Sequence, residues 1–219
     1  MDGRATRWAA HNDAQRERIV AAAIALYDEG NAAPSLQEIG ARAGLARSVI
    51  YRQFADRRDL DSAVRSDVLA QLWAQLSPHF SVEGSPQATL RTVLQLYVDW
   101  ASAHPRLHHL VDLDLDESGP LQHGLDQISA AVVDLMVTWF RAVGAEVTEA
   151  DVIATDPLAH GVVGLIHATV RRWVDQGCTV PKASYLVELM TEMVWAMVES
   201  RAQAYGITAD PHAVLPPSA

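Results

Sequence analysis

Two short helical stretches split by a glycine constrain this chain more than any other feature. In the run SLQEIGARAGLARSVIYRQF, Ser35 is followed three residues on by Glu38. That spacing is a capping box, in which each side chain satisfies a free backbone amide at a helix start. Leu36, Ile39 and Ala43 then fall on one face, and Gly44 supplies the stop. After a three-residue break the pattern turns helical again at Arg47 and runs to Phe54. Two short helices joined by a tight, glycine-bearing turn form a helix-turn-helix. Val49, Ile50 and Phe54 pack inward, which leaves Arg47, Ser48, Tyr51, Arg52 and Gln53 on or near the outer surface.

These outward side chains share a chemistry. An arginine fork donates to guanine or phosphate, and Ser, Tyr and Gln hydrogen-bond to phosphate or base edges. Charge follows the same pattern: residues 35–58 carry five arginines against Glu38 and Asp56, in a chain of net charge -10. Residues 1–60 hold nine arginines and eight carboxylates, whereas residues 61–219 hold eight basic and nineteen acidic side chains. Only the first part tolerates a polyanion.

Helical periodicity governs the rest as well, with no convincing period-2 alternation. Upstream, AQRERIVAAAIALYDEG puts Ile19, Ala22, Ala23, Leu26 and Tyr27 on one face and stops at Gly30. Downstream, Asp56 can cap a helix from about Arg57 to Leu76, ended by Pro78. Further helices are expected over 86–103 behind Ser85, just after Pro105, and over 121–142. Two more follow, over 149–176 behind a Thr148 and Asp151 cap with a kink at Pro157, and over 182–205. The expected fold class is all-α, with a three-helix helix-turn-helix DNA-binding domain over 1–60, a larger helical domain over 61–208 whose high apolar content should face a cavity or another subunit, and a disordered tail over 209–219.

No apolar run approaches the ~20 residues that cross a bilayer. The N-terminus mixes acids with its arginines and has no apolar signal core, so a cytoplasmic location without a membrane partner is expected. The single cysteine, Cys178, excludes an internal disulfide and a CxxC metal or redox site, and reads as a passive thiol. With no nucleophile motif, no phosphate-cradling glycine loop and no HExxH, neither enzymatic activity nor a cofactor is expected.

The segment 18–63, through RIVAAAIALYDEG, SLQEIGARAGLARSVIYRQF and ADRRDLDSAV, resembles the TetR-type bacterial transcription repressors. Ile39, Ala43-Gly44, Tyr51, Phe54 and Leu60 carry that resemblance by their order and spacing. Beyond residue 63 the likeness is architectural: GVVGLIHATVRRWVDQG followed by an amphipathic last helix is similar to that family's dimerisation pair. The resemblance implies that Arg47 and Ser48 read bases in the major groove. It further implies that Tyr51 and Gln53 hold phosphates, with Arg57 and Ser35 clamping the strand. Arg57 stands where a basic residue is expected, in the first turn of a helix, where a cation opposes the dipole unless a phosphate sits there too. Ala46 departs from the usual Ser or Thr at the start of the recognition helix, which removes a cap. Gln53 stands where His or Lys is common, and Ser35 where Thr is frequent. Packing of Tyr51 on the first helix is the alternative for that residue. Arg4 and Arg7 suit either a minor-groove arm or a frayed terminus.

One helix-turn-helix buries too little surface for specificity, so a homodimer on a palindromic double-stranded operator is expected. Gly161, Gly164 and Ala168 permit close backbone approach. Leu186, Leu189, Met190, Met193, Val194 and Met197 give the last helix a broad apolar face, part of which an ordinary core would also use. A regulating small molecule must bind one spacing of the two heads better than another. Its pocket is expected among the helices of 65–175. Trp73, Tyr97, Trp100, Leu110, Leu113, Trp139 and Phe140 are candidate lining, and His109, His160 and His167 candidate polar anchors. Each aromatic serves a core equally well. Such a lining suits an apolar or aromatic effector. In HPRLHHLVDLDLDE, His104 with His108 and His108 with Asp112 stand at i,i+4, but without a cysteine or second ligand pair a polar loop or short helix is expected there and no metal site. The reading is a ligand-responsive repressor. The alternatives are an activator, since the sign depends on where the operator lies, and a helical scaffold of the same fold that does not bind DNA.

Overall fold

A computed structural model describes residues 3–81, 84–113 and 119–212, with side chains from His11 onward. Arg4 and Arg7 as side chains, residues 114–117 of the His/Asp-rich stretch, and residues 213–219 of the expected tail lie outside the described residues. Among the described residues every regular element is helical. The helices are α1 (Gly3–Asp28), α2 (Leu36–Ala43), α3 (Arg47–Gln53), α4 (Arg57–Leu76), α5 (Pro86–Ala103), α6 (Pro105–Asp112), α7 (Pro120–Ala142), α8 (Glu149–Asp175) and α9 (Ala183–Ala204), with one 3-10 turn at Ser77–His79. None of the helices is long and apolar enough to cross a membrane.

The helix ends follow their capping chemistry. Ser35 and Glu38 close the capping box of α2, and Thr148 and Asp151 close that of α8. Gly44 ends α2 in the left-handed region at φ 64°, where an L side chain is strained. Asp56 Oδ1 accepts the Asp59 N–H at 2.9 Å at the start of α4. The helix α8 continues through the exposed Pro157, whose ring leaves one carbonyl of the preceding turn without its helical donor.

The chain forms two compact units. The first holds α1, α2, α3, α4 as far as Gln71, and α6. Its interior is built on Ile19, Ala23, Ile39, Ile50, Phe54, Leu60 and Val64, all essentially removed from water. A boundary at residue 60 is therefore not where the contacts divide: α4 runs unbroken through it, and α6 joins α1. The buried Leu107, Leu110 and Val111 give α6 an apolar face. Polar contacts fasten the same helix, with His104 Nδ1 3.0 Å from Asp28, Arg106 donating to the Asp28 carbonyl at 3.1 Å, and Arg65 Nε donating to the Leu110 carbonyl at 3.1 Å.

The second unit holds α4 from Leu72, α5, α7, α8 and α9, with α5 packed on both α9 and α8. Tyr97 OH and His167 Nδ1 meet at 3.0 Å between α5 and α8. A cluster of Trp139, Phe140, Trp195, Ala202 and Ala209 closes the end of α7 against α9. At the start of the expected tail 209–219, Ala209 is buried in this cluster, and Asp210 Oδ1 accepts the His212 N–H at 2.9 Å.

Candidate nucleic-acid interface

The turn between α2 and α3 is built so tightly that one position must lack a side chain. A Cβ placed on Gly40 would lie 2.8 Å from the Leu45 carbonyl oxygen, and the Leu45 N–H donates to the Gly40 carbonyl at 2.9 Å. This close approach sets the angle at which α3 leaves α2. As the sequence implies, Ala46 supplies no side-chain cap to α3. The helix is instead pinned by burial of Ile50 and Phe54.

The other face of α3 carries Arg47, Ser48, Tyr51 and Arg52, all exposed. Arg47 and Tyr51 act as one unit: the guanidinium donates to the Tyr51 hydroxyl at 2.7 Å and its carbon stands 5.3 Å from the ring centroid. This contact sets the guanidinium over the Tyr51 ring, and Tyr51 is 53% exposed. Ser35 is exposed at the start of α2, and its hydroxyl accepts the Glu38 N–H at 3.2 Å. Arg47, Ser48, Tyr51 and Ser35 thus remain available to a ligand.

Two of the nominated residues have other work. Arg57 Nε donates to both carboxylate oxygens of Asp61 at 2.8 and 2.9 Å. Its Nη1 donates to the Pro34 carbonyl at 2.6 Å and its Nη2 to the Tyr27 hydroxyl at 2.8 Å. All three nitrogens therefore join α1, the α2 approach and α4, which makes Arg57 a tie within the first unit. The Tyr27 hydroxyl in turn donates to Asp61 at 3.2 Å, and burial followed by the Asp61 charge raises its pKa above the ordinary phenol value. The second is Gln53, whose amide nitrogen donates to Asn12 Oδ1 at 2.6 Å and to Gln15 Oε1 at 3.3 Å, both on α1. Both bonds run toward α1. Among the arginines of the basic cluster, Arg42 is similarly engaged, in a two-pronged pair with Glu29. Sequence reasoning missed the α1 residues Asn12, Gln15, Arg16 and Arg18. Arg18 donates to the Ala43 carbonyl, and no local pattern announces such a partner.

The nominated pocket residues separate. His109, Leu110 and Leu113 fall in the first unit, with Leu110 buried and the other two exposed. Exposure of His109 and Leu113 is at odds with an enclosing role. Trp139 and Phe140 are core: their rings are 5.2 Å apart, with Trp195 6.3 Å from Trp139 and Tyr205 5.4 Å from Phe140. Trp73 stacks with Phe80 at 5.7 Å, Trp100 is buried, and His160 faces Asp126 at 3.4 Å. Tyr97 and His167 are brought together, as noted above. In the His/Asp-rich stretch, His104 pairs with Asp28, and His108 lies buried 3.5 Å from Asp112.

The last helix splits its apolar face. Leu186, Met190 and Val194 are buried within the chain, because the i,i+4 row they form turns toward the interior. They are core and not docking residues. Leu189, Met193 and Met197 form the adjacent row and are exposed, as is Tyr185. On α8, Gly161 and Ala168 are exposed and Gly164 partly so, and a Cβ on either glycine would meet nothing within 4 Å. Ile153, Leu158 and Leu165 are exposed on the same helix.

Residues 19–64 match the model of the family described as bacterial regulatory proteins, tetR family. An uncharacterized HTH-type transcriptional regulator of Mycobacterium tuberculosis is 23% identical over 212 residues, which covers 94% of this chain and 86% of that protein. A tetR-family transcriptional regulator from Streptomyces coelicolor superposes with a TM-score of 0.65 at 18% identity, covering 89% of this chain and 86% of that one. The transcriptional regulator FadR from Bacillus subtilis, solved in complex with stearoyl-CoA, gives a TM-score of 0.61 at 17% identity over 81% of this chain and 96% of that one.

Proposed function

We propose, from the match of residues 19–64 to the tetR family model and the likeness to an HTH-type regulator, that the chain is a TetR-type DNA-binding regulator working as a homodimeric repressor released from a palindromic operator by a small apolar or aromatic effector. The exposed Arg47, Ser48 and Tyr51 face of α3, held at a fixed angle by the Gly40 turn, carries the reading. Arg47 and Ser48 reach base edges, while Tyr51 and the Ser35 end of α2 meet phosphates. Arg57 and Gln53 support this face from behind. Two copies place two α3 helices on one side of a duplex, about 34–36 Å apart, which is why the operator is symmetric.

The second copy docks on α8 and α9. Leu189, Met193 and Met197 on α9 and Leu158 and Leu165 on α8 are exposed apolar side chains, and the open glycines of α8 let a partner helix come close. The effector domain begins with the second unit, and its apolar, tryptophan-bearing helices suit a hydrophobic ligand. The complex of FadR with stearoyl-CoA supports an apolar class of effector without naming the one for this chain.

The test is titration of a fluorescent duplex from upstream of the protein's own gene against a scrambled duplex, at several salt concentrations. Specific, salt-steep binding is expected. Arg47→Ala should lose roughly 1–3 kcal/mol on the native duplex and relax one base preference. An unchanged affinity and preference in that variant would remove Arg47 from the reading surface.

A further inference from the structure

The recognition helix α3 is seven residues long and has no side-chain N-cap. So short a helix is not stable by itself and takes its shape from what holds its ends. The Gly40 turn holds the first end. The second is held by α1, through residues that precede the matched segment 19–64. Gln53 donates to Asn12 and Gln15, Arg52 Nη2 donates to the same Gln15 oxygen at 3.2 Å, and Arg16 Nη1 donates to the Gln53 carbonyl at 2.8 Å. The Arg16 guanidinium also lies 4.1 Å over the Phe54 ring and reaches Asp59 at 3.5 Å. Gln15 is steadied in turn by a contact between its amide nitrogen and His11 Nε2 at 2.9 Å.

We propose that Asn12, Gln15 and Arg16 form a polar clasp that positions the C-terminal end of α3, and that sequence selectivity depends on it. The inference rests on the DNA-binding reading above. Base-edge hydrogen bonds are directional and fail when a donor swings, whereas attraction to phosphates tolerates displacement. Loosening the clasp therefore lowers discrimination between duplexes and leaves the electrostatic part of binding intact. The clasp residues act through α3 and are positioning residues.

The experiment uses the full chain and two probes: a duplex enriched by the wild-type protein from a random-sequence pool, and its scrambled counterpart. Asn12→Ala and Gln53→Ala should each reduce the ratio of the two affinities about fivefold, the factor given by losing one net hydrogen bond. The double variant should lose no more than either alone, since both remove the same contact. The salt slope should not change. Asn12→Asp, which keeps the accepting oxygen, should recover the ratio even where its charge weakens both duplexes alike. In the free protein, the Phe54 amide, bonded to the Ile50 carbonyl at 3.0 Å, should exchange faster in both alanine variants. The clasp is overturned if Gln53→Ala weakens both duplexes and lowers the salt slope by about one while Asn12→Ala changes nothing, because Gln53 then holds a phosphate. It is also overturned if exchange at the end of α3 is unaltered. Failure of the wild type to enrich any duplex would refute DNA recognition instead, and the exchange measurement would still decide the clasp.

Discussion

Replacing Arg57 with alanine separates two roles that a basic residue at the start of α4 can have. The side chain donates to Asp61, to the Pro34 carbonyl and to the Tyr27 hydroxyl. The pair with Asp61 is partly open to solvent, at 37% and 21% side-chain exposure, so it contributes about 0–1 kcal/mol after screening. The two remaining bonds contribute about 0.5–1.5 kcal/mol each. Removing the guanidinium also strands the carbonyl of Pro34, a residue whose side chain is fully buried. A loss of about 2–3 kcal/mol follows, which in a chain of this size lowers the melting temperature by roughly 2–4 °C per kcal/mol. Calorimetry or urea unfolding reads that loss, and DNA titration at several salt concentrations reads the charge.

Arg57→Ala should melt several degrees lower with the salt slope of DNA binding unchanged. Arg57→Lys is the sharper variant. Lysine keeps the charge but, as a single ammonium, cannot reach three separated acceptors. It should therefore resemble alanine in stability. Tyr27→Phe removes one of the same bonds, so the double variant with Arg57→Ala should lose less than the sum of the two. An Arg57→Ala protein with unaltered melting and a salt slope reduced by about one would refute the internal role and return the residue to the phosphate backbone.

Gly40→Ala places a Cβ against the backbone of Leu45, where no flexible side chain can yield. It should destabilise by about 1–3 kcal/mol in urea unfolding and lose operator binding with it. Hydrogen bonds from the Ser35 hydroxyl and backbone hold the Glu38 carboxylate below its ordinary pKa. The stability it adds is present above the usual glutamate value of about 4.3 and is lost as pH falls through the lower folded value. Glu38→Gln keeps an accepting oxygen without titrating, so its melting temperature should fall less than that of the wild type on acidification. Leu189→Glu with Met193→Glu adds charge to exposed positions. On the proposed dimer, sedimentation should show a monomer, melting should show it still folded, and titration should show that binding to the proposed palindrome is lost.

What could be read from the sequence is what has its partner nearby along the chain. The Ser35 and Glu38 box, the Gly44 stop, the Asp56 and Thr148 caps and the inward Ile50 and Phe54 all depend on spacings of three to seven residues, and helix geometry fixes such spacings in advance. The internal bonds of Arg57 could not be read, for the opposite reason. Its partners Tyr27 and Pro34 stand 30 and 23 positions away, and only the Asp61 bond lies at the local i,i+4 spacing. Gln53 meets α1 across 41 and 38 positions, and Arg106 meets Asp28 across 78. No local pattern encodes a pairing that tertiary packing creates.

The same distinction explains the two apolar rows of α9. Leu186, Met190 and Val194 are chemically much like Leu189, Met193 and Met197, and each row repeats every four residues. Periodicity shows that a helix has an apolar stripe, but when the stripe is wide it does not show where the chain's own core stops. The core takes one row, and the exposed row at 42%, 39% and 42% is left for contact with another surface. A symmetric pair of copies would cover that row in both chains at once, each copy presenting the same residues to the other. On the proposed function, DNA recognition and dimerisation would have a common physical basis. In each, a helix is fixed on one side by the interior of its own unit, and the side chains left on the other side would choose the partner.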